Sequence, residues 1–156
     1  MIDIEHAGDL AAHAGKCLGR SQWMVVDQPM VDAFATLSGD THWIHVDVAR
    51  ARAEMPNGET IVHGLLLLSL MPRLQQDIYR IAERGIGLNY GYDRVRFVAP
   101  APVGAKIRLA LTLIAAEPHA QGTRIITDAE IEVEGSAKPA LVARHLLLVR
   151  DKSNED

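Results

Sequence analysis

A carboxylate and an imidazole, both able to exchange protons, stand five positions apart in Gly39-Asp40-Thr41-His42-Trp43-Ile44-His45-Val46-Asp47. On a helix, positions i and i+5 diverge; on an irregular loop a carboxylate and an imidazole can converge on one water or one substrate atom. A histidine titrates near neutral pH, and an aspartate beside it in a dry site can be tuned to the opposite role, so the pair suits acid–base chemistry. The same spacing also fits an Asp40 that caps a turn and a His45 that is merely packed, and both readings stay open on these residues alone.

A second segment, Thr60-Ile61-Val62-His63-Gly64, leads into a strongly apolar run. Backbone N–H groups at a helix start have no partner within the helix and carry partial positive charge. A glycine there admits a ligand close to the backbone, where an oxygen gaining negative charge would be stabilised. An ordinary helix start with a buried His63 is the alternative. A third segment, Asn89 to Pro100, puts Arg94 and Arg96 on one face of a strand, where they would meet phosphates or simply water. His42, His45 and His63 match no familiar metal-ligand spacing, so no metal is expected. Ser69 lacks the strand–turn–helix context of a nucleophile.

The elements that must position these residues follow from the pattern. Asp3–Ala14 has apolar residues at helical spacing and Gly15 to end it; Trp23–Val26 reads as a strand. Asp27 resembles an N-cap with Pro29 in the first turn, opening a helix to about Leu37 whose apolar face is Met30, Val31, Phe34 and Leu37. Asp40 to Val46 is a loop, Asp47 to Glu54 a short helix, and Pro56-Asn57-Gly58 a turn. From Val62 or His63 a helix runs to about Arg84, kinked at Pro72; its first part, Leu65 to Met71, is apolar on every side and should be enclosed by protein. Strands follow at Gly87–Val98, Lys106–Ala115, Thr123–Glu134 and Leu141–Val149.

One enclosed helix followed by antiparallel strands packs naturally as a sheet curled around the helix, an α+β hot-dog fold. Residues 1–150 would form this one domain and 151–156 a polar tail. A curled sheet with open edges often completes itself with a second copy, so a homodimer is expected. The net charge of −4 over 156 residues argues against a nucleic-acid partner. The Leu65–Met71 run is far below the roughly 20 residues a membrane span needs. A start without a signal-like pattern and a single cysteine, Cys17, point to the cytoplasm.

The first two segments, with the tryptophan before Ile-His-Val-Asp and the late Asn-Tyr-Gly…Val-Arg-Phe…Ala-Pro stretch, resemble the MaoC-like dehydratases and (R)-specific enoyl-CoA hydratases, in particular their nodulation-protein-N-like branch. The resemblance covers about residues 17–150. It implies a homodimer of hot-dog subunits, no metal or redox cofactor, and hydration of a trans-2-enoyl-CoA to a (3R)-3-hydroxyacyl-CoA. By position, Asp40 and His45 match the catalytic pair and Gly64 the residue whose N–H faces the thioester oxygen. Trp43, His63, Leu65 and Tyr90 become candidates for substrate binding, with Arg94 and Arg96 for the carrier. One departure stands out: His42 occupies a position where relatives carry Asn or Gln. A hot-dog thioesterase, or an acyl-thioester-binding partner subunit without chemistry, are the competing functions; the retained Asp–His pair weighs against both.

Overall fold

The structure, a computed structural model, describes residues 1–152. It opens with strand β1 (Ile2–Ile4), a 3-10 helix at Ala7–His13, and β2 (Cys17–Arg20). The helix expected over Asp3–Ala14 is therefore two elements. Ile2 and Ile4 alternate as a strand requires and pair in parallel with Tyr79–Ile81, while Ala7 and Leu10, three apart, bury one side of a helix with three residues per turn.

β3 (Met24–Val25) precedes α1 (Gln28–Ser38). The Asp27 carboxylate accepts the Met30 N–H at 3.0 Å, and Gly39 ends the helix at φ 78°, a left-handed conformation that glycine adopts freely. The buried face is Val31 and Ala35, not Leu37, which is 84% exposed. At 100° per residue Leu37 lies far around the helix from Val31, so it cannot share that face. A single turn, α2 (Trp43–Val46), interrupts the expected loop, and α3 (Val48–Glu54) is capped by the Asp47 side chain.

α4 (Gly64–Gln75) ends nine residues before the expected limit. The N–H groups of Gln76, Asp77 and Ile78 turn back to carbonyls three residues earlier, which tightens the chain into β4 (Tyr79–Ile81). Burial at Ile78 and Ile81 fits helix or strand spacing equally; pairing with β1 decides it. Leu66, Leu67, Met71 and Leu74 of α4 are buried, but Leu65 is 58% exposed, so the helix is not enclosed on every side within this chain.

Four long strands complete the fold: β5 (Arg84–Phe97), β6 (Lys106–His119), β7 (Gly122–Val133) and β8 (Leu141–Asp151). The antiparallel sheet runs β2-β6-β7-β8-β5, with β3 also on β6. Alternate residues Ile107, Leu109, Leu111 and Leu113 of β6, with Ile125 and Ile131 of β7 and Leu147 and Val149 of β8, join the α4 residues in one core. This is the hot-dog arrangement of a curled sheet around a central helix. β8 reaches Asp151, whose carboxylate accepts the Ala7 N–H at 3.1 Å, so the last strand extends past the expected boundary at 150. The remainder of the expected tail, 153–156, lies outside the described residues.

Ile131→Ala should therefore lower the unfolding free energy by about 2–5 kcal/mol through the cavity it leaves. Leu37→Ala should change it by less than about 0.5 kcal/mol. Urea unfolding at one fixed protein concentration measures both, and equal effects would contradict the burial described here.

Candidate active site

Asp40 follows the left-handed turn at Gly39, on the exposed end of α1, and its Oδ1 lies 3.5 Å from the His42 N–H. His45, on α2, is buried. Its Nδ1 sits 2.7 Å from the Ile61 carbonyl oxygen. A carbonyl only accepts, so this contact places the proton on Nδ1 and leaves Nε2 with its lone pair. The His45 carbonyl in turn accepts from Gln28 Nε2 at 2.7 Å, and Gln28 Oε1 accepts from Thr60 Oγ1 at 2.7 Å. Gln28 thus ties α2 to the segment that holds His45's ring.

That segment leads into α4. His63 donates from Nε2 to the Asp40 carbonyl at 2.9 Å, and its ring stacks on His45 with centroids 3.8 Å apart. Gly64 opens the helix, so its N–H belongs to the unpaired first turn. Asp40, His45, His63, Gly64, Leu65 and Phe97 line one side of a cavity of about 330 Å³. A larger cavity of about 620 Å³ lies at the other end of α4, near Tyr79 and His145. It holds neither Asp40, His45 nor the helix start, so the smaller cavity is the one that gathers the candidate acid–base groups.

Burial is the main force lowering the pKa of His45 below its ordinary value of 6.5; the neighbouring His63 and His42 push the same way, while the Ile61 carbonyl and Asp40 oppose. Burial therefore favours the neutral ring, the form in which Nε2 can accept a proton.

Asp40, His45 and His63 each offer a ligand atom, all within 4.8 Å of one another. The two nitrogens not bound to carbonyls are His45 Nε2 and His63 Nδ1. Lone pairs lie in the ring planes, and planes inclined by only 24° at a 3.8 Å stacking distance do not meet at the roughly 2.0–2.1 Å that a zinc–nitrogen bond requires. The arrangement suits proton transfer better than ion binding.

The other expected site residues divide. Leu65 lines the cavity. Trp43 opens α2 half-buried, with the Arg50 guanidinium 4.2 Å over its ring. Tyr90 packs against His119, and Arg94 and Arg96 are exposed on β5; none of these three lines the cavity. Two residues were not singled out from the sequence. Gln28 looks like an ordinary first-turn residue. Phe97 ends β5 and lies over Gly64: a Cβ there would fall 2.6–2.8 Å from its ring atoms. Gly64 is not in the left-handed region, so its missing side chain is a matter of space, and part of that space belongs to Phe97.

A sequence profile of the MaoC like domain matches residues 9–134. The 3-hydroxyacyl-thioester dehydratase Z of Mycobacterium tuberculosis is 44% identical over 148 residues, covering 94% of this chain and 97% of that protein. Nodulation protein N of Rhizobium leguminosarum is 36% identical over 149 residues, covering 94% and 92%. Among solved structures, the (R)-hydratase from A. caviae superposes with a TM-score of 0.70 at 25% identity, over 86% of this chain and 95% of that one.

Gly64→Ala should cost about 1–3 kcal/mol by overpacking against Phe97. Adding Phe97→Ala should not add its full single-variant cost, because the clash is then gone. A double-mutant cycle in urea measures the coupling; strict additivity would mean the two residues do not share that space.

Proposed function

The chain belongs to the MaoC-like dehydratase family, and from that premise we propose that it adds water reversibly to a trans-2-enoyl-CoA, giving a (3R)-3-hydroxyacyl-CoA, with Asp40, His45 and Gly64 as the working groups. The observation that carries this reading is the bond from His45 Nδ1–H to the Ile61 carbonyl at 2.7 Å. It leaves Nε2 as an acceptor in a neutral, buried ring beside a carboxylate and a helix start. His45 takes a proton from water as the water oxygen bonds to the β-carbon. That same proton, handed from His45 through the Asp40 carboxylate, reaches the α-carbon as the former double-bond electrons form the new C–H bond, so both groups end as they began. The thioester oxygen gains negative charge in this step, and the N–H at the start of α4 is placed to stabilise it.

The full similarity to a 3-hydroxyacyl-thioester dehydratase supports the thioester substrate. A hydrolase reading would have the same carboxylate and helix start, so the assay must separate the two. With crotonyl-CoA and longer enoyl-CoAs, hydration removes the conjugated enone absorbance without freeing thiol; thiol release would overturn the proposal.

The reading includes a homodimer. β5 is an open edge of the sheet and exposes Ile86, Leu88, Tyr90 and Phe97, and the exposed Leu65 of α4 shares a cavity with Phe97. A second copy along that edge would satisfy the unpaired strand and cover apolar surface. Sedimentation at micromolar concentration should give a dimer mass. The reading also keeps the chain in the cytoplasm, in line with its single cysteine. No described helix is long and apolar enough to cross a membrane.

Asp40→Asn and His45→Gln should each lower kcat by about 10²–10⁴. As members of one unit they should be non-additive, the double variant being little slower than the slower single one. Because burial lowers the His45 pKa, kcat/KM should hold at neutral pH and fall only as pH drops below the ordinary histidine range. That acid limb should vanish in His45→Gln. Near-parental rates in either folded single variant would remove the pair from the mechanism.

A further inference from the structure

Among the described residues, one buried side-chain polar atom has no hydrogen-bond partner: Nδ1 of His63, a residue only 2% exposed. Burying a polar atom unpaired is unfavourable, and a phenylalanine of similar shape would avoid it. Something else must require an imidazole at this position.

The ring's contacts supply the requirement. From Nε2 it donates to the Asp40 backbone carbonyl at 2.9 Å. One face lies on the His45 ring at 3.8 Å, 24° from parallel. Phe34 of α1 meets it edge-on at 5.1 Å, which fixes the ring from the side of the helix that ends just before Asp40. Its own backbone caps α4 immediately before Gly64. One side chain therefore touches the acid's loop and the base's ring, and stands next in sequence to the oxyanion donor. A phenylalanine could stack but not donate; a glutamine could donate but not stack. The imidazole does both, at the expense of one unmet nitrogen.

We propose that His63 is a positioning residue: it fixes the Asp40 loop and the plane of the His45 ring against the start of α4, and acts on the reaction only through them. This differs from the substrate-binding role expected from sequence, and it rests on the reading of Asp40 and His45 as the acid–base pair.

Two variants separate its parts. His63→Phe keeps the ring face and loses the donor. His63→Gln keeps a donor near Nε2 and loses the face. Each is assayed on crotonyl-CoA beside Asp40→Asn and His45→Gln, with folding checked by urea unfolding; should His63→Phe not fold, His63→Gln carries the test. Misplacing a reacting group by about 1 Å can lower a rate on the order of 10²-fold. His63→Phe should therefore lower kcat by about ten- to a hundredfold with KM within about threefold of the parent. His63→Gln should recover part of that loss. Asp40, His42 and His63 are the titratable groups facing His45, and His63 opposes its protonation. In His63→Gln the acid limb of kcat/KM should accordingly move to higher pH, which a purely structural filler would not cause.

A raised KM with kcat retained would show that His63 holds substrate instead. A folded His63→Phe as fast as the parent, or an unmoved acid limb in His63→Gln, would equally overturn the proposal. If Asp40→Asn and His45→Gln are themselves active, the acid–base reading fails and this inference falls with it. If they are inactive while the His63 variants are normal, only the inference fails.

Discussion

The hydrogen bond from His45 Nδ1 to the Ile61 carbonyl, 2.7 Å long, is the contact on which the rest of the site depends. It selects the tautomer, aims Nε2, and does so from a segment with no regular structure of its own. That segment is stiff because its backbone is bonded on both sides. Ile61 N–H reaches the Ile44 carbonyl in α2, Val62 N–H reaches Ala101, and Val103 N–H returns to Thr60. A loop held this way orients a side chain as firmly as a strand would, since each buried backbone group already has its partner. The Gln28 side chain adds a fourth tie, linking the His45 carbonyl to Thr60.

The sheet and α4 supply the frame for that loop. The core side chains of β6, β7 and β8 pack on Leu66, Leu67, Met71 and Leu74 and set where the helix begins, hence where the Gly64 N–H lies. Phe97, at the end of the edge strand β5, rests on Gly64 and lines the same cavity. The wall of the site is thus the same strand whose far edge is open. Covering that edge with a second copy would steady the wall, so assembly and site geometry bear on one element.

Much of this was legible in the sequence, for reasons that differ by element. The alternation from Lys106 onward could only be strand, and α1 carried its start and stop signals, Asp27 and Gly39. Asp40 and His45, with His63-Gly64 downstream, were singled out from the sequence, and the structure brings all four to one cavity. What sequence could not give was anything set by distant packing. Ile78 and Ile81 satisfy helical spacing, and only pairing of Tyr79–Ile81 with a strand at the opposite end of the chain shows that the helix has ended. Leu37 is apolar on a helix yet points away from the core. Phe97 and Gly64 are complementary in size across 33 positions, a relation with no periodic signature. The proton on His45 Nδ1 depends on a carbonyl that no residue type announces.

His42, the departure from the usual Asn or Gln, fits the same logic. Its ring lies 6.4 Å from His45 and 5.9 Å from Trp43, at the exposed end of a series that runs through His63 to Phe34 in the interior. An amide at this position could hold the Asp40 loop, and the His42 backbone N–H, 3.5 Å from Oδ1, already approaches that carboxylate. The imidazole also works against protonation of His45, the same direction in which burial and His63 act, and it is the smallest of these three. The substitution therefore does not oppose the site's electrostatics; it extends them. Three influences of one sign keep the buried imidazole neutral, while Asp40 and the Ile61 carbonyl pull it back toward the proton-accepting strength a base needs. In the proposed reaction a base held between those limits accepts a proton from water and still releases it through the neighbouring carboxylate, and both transfers are required for the pair to begin the next cycle in its starting state.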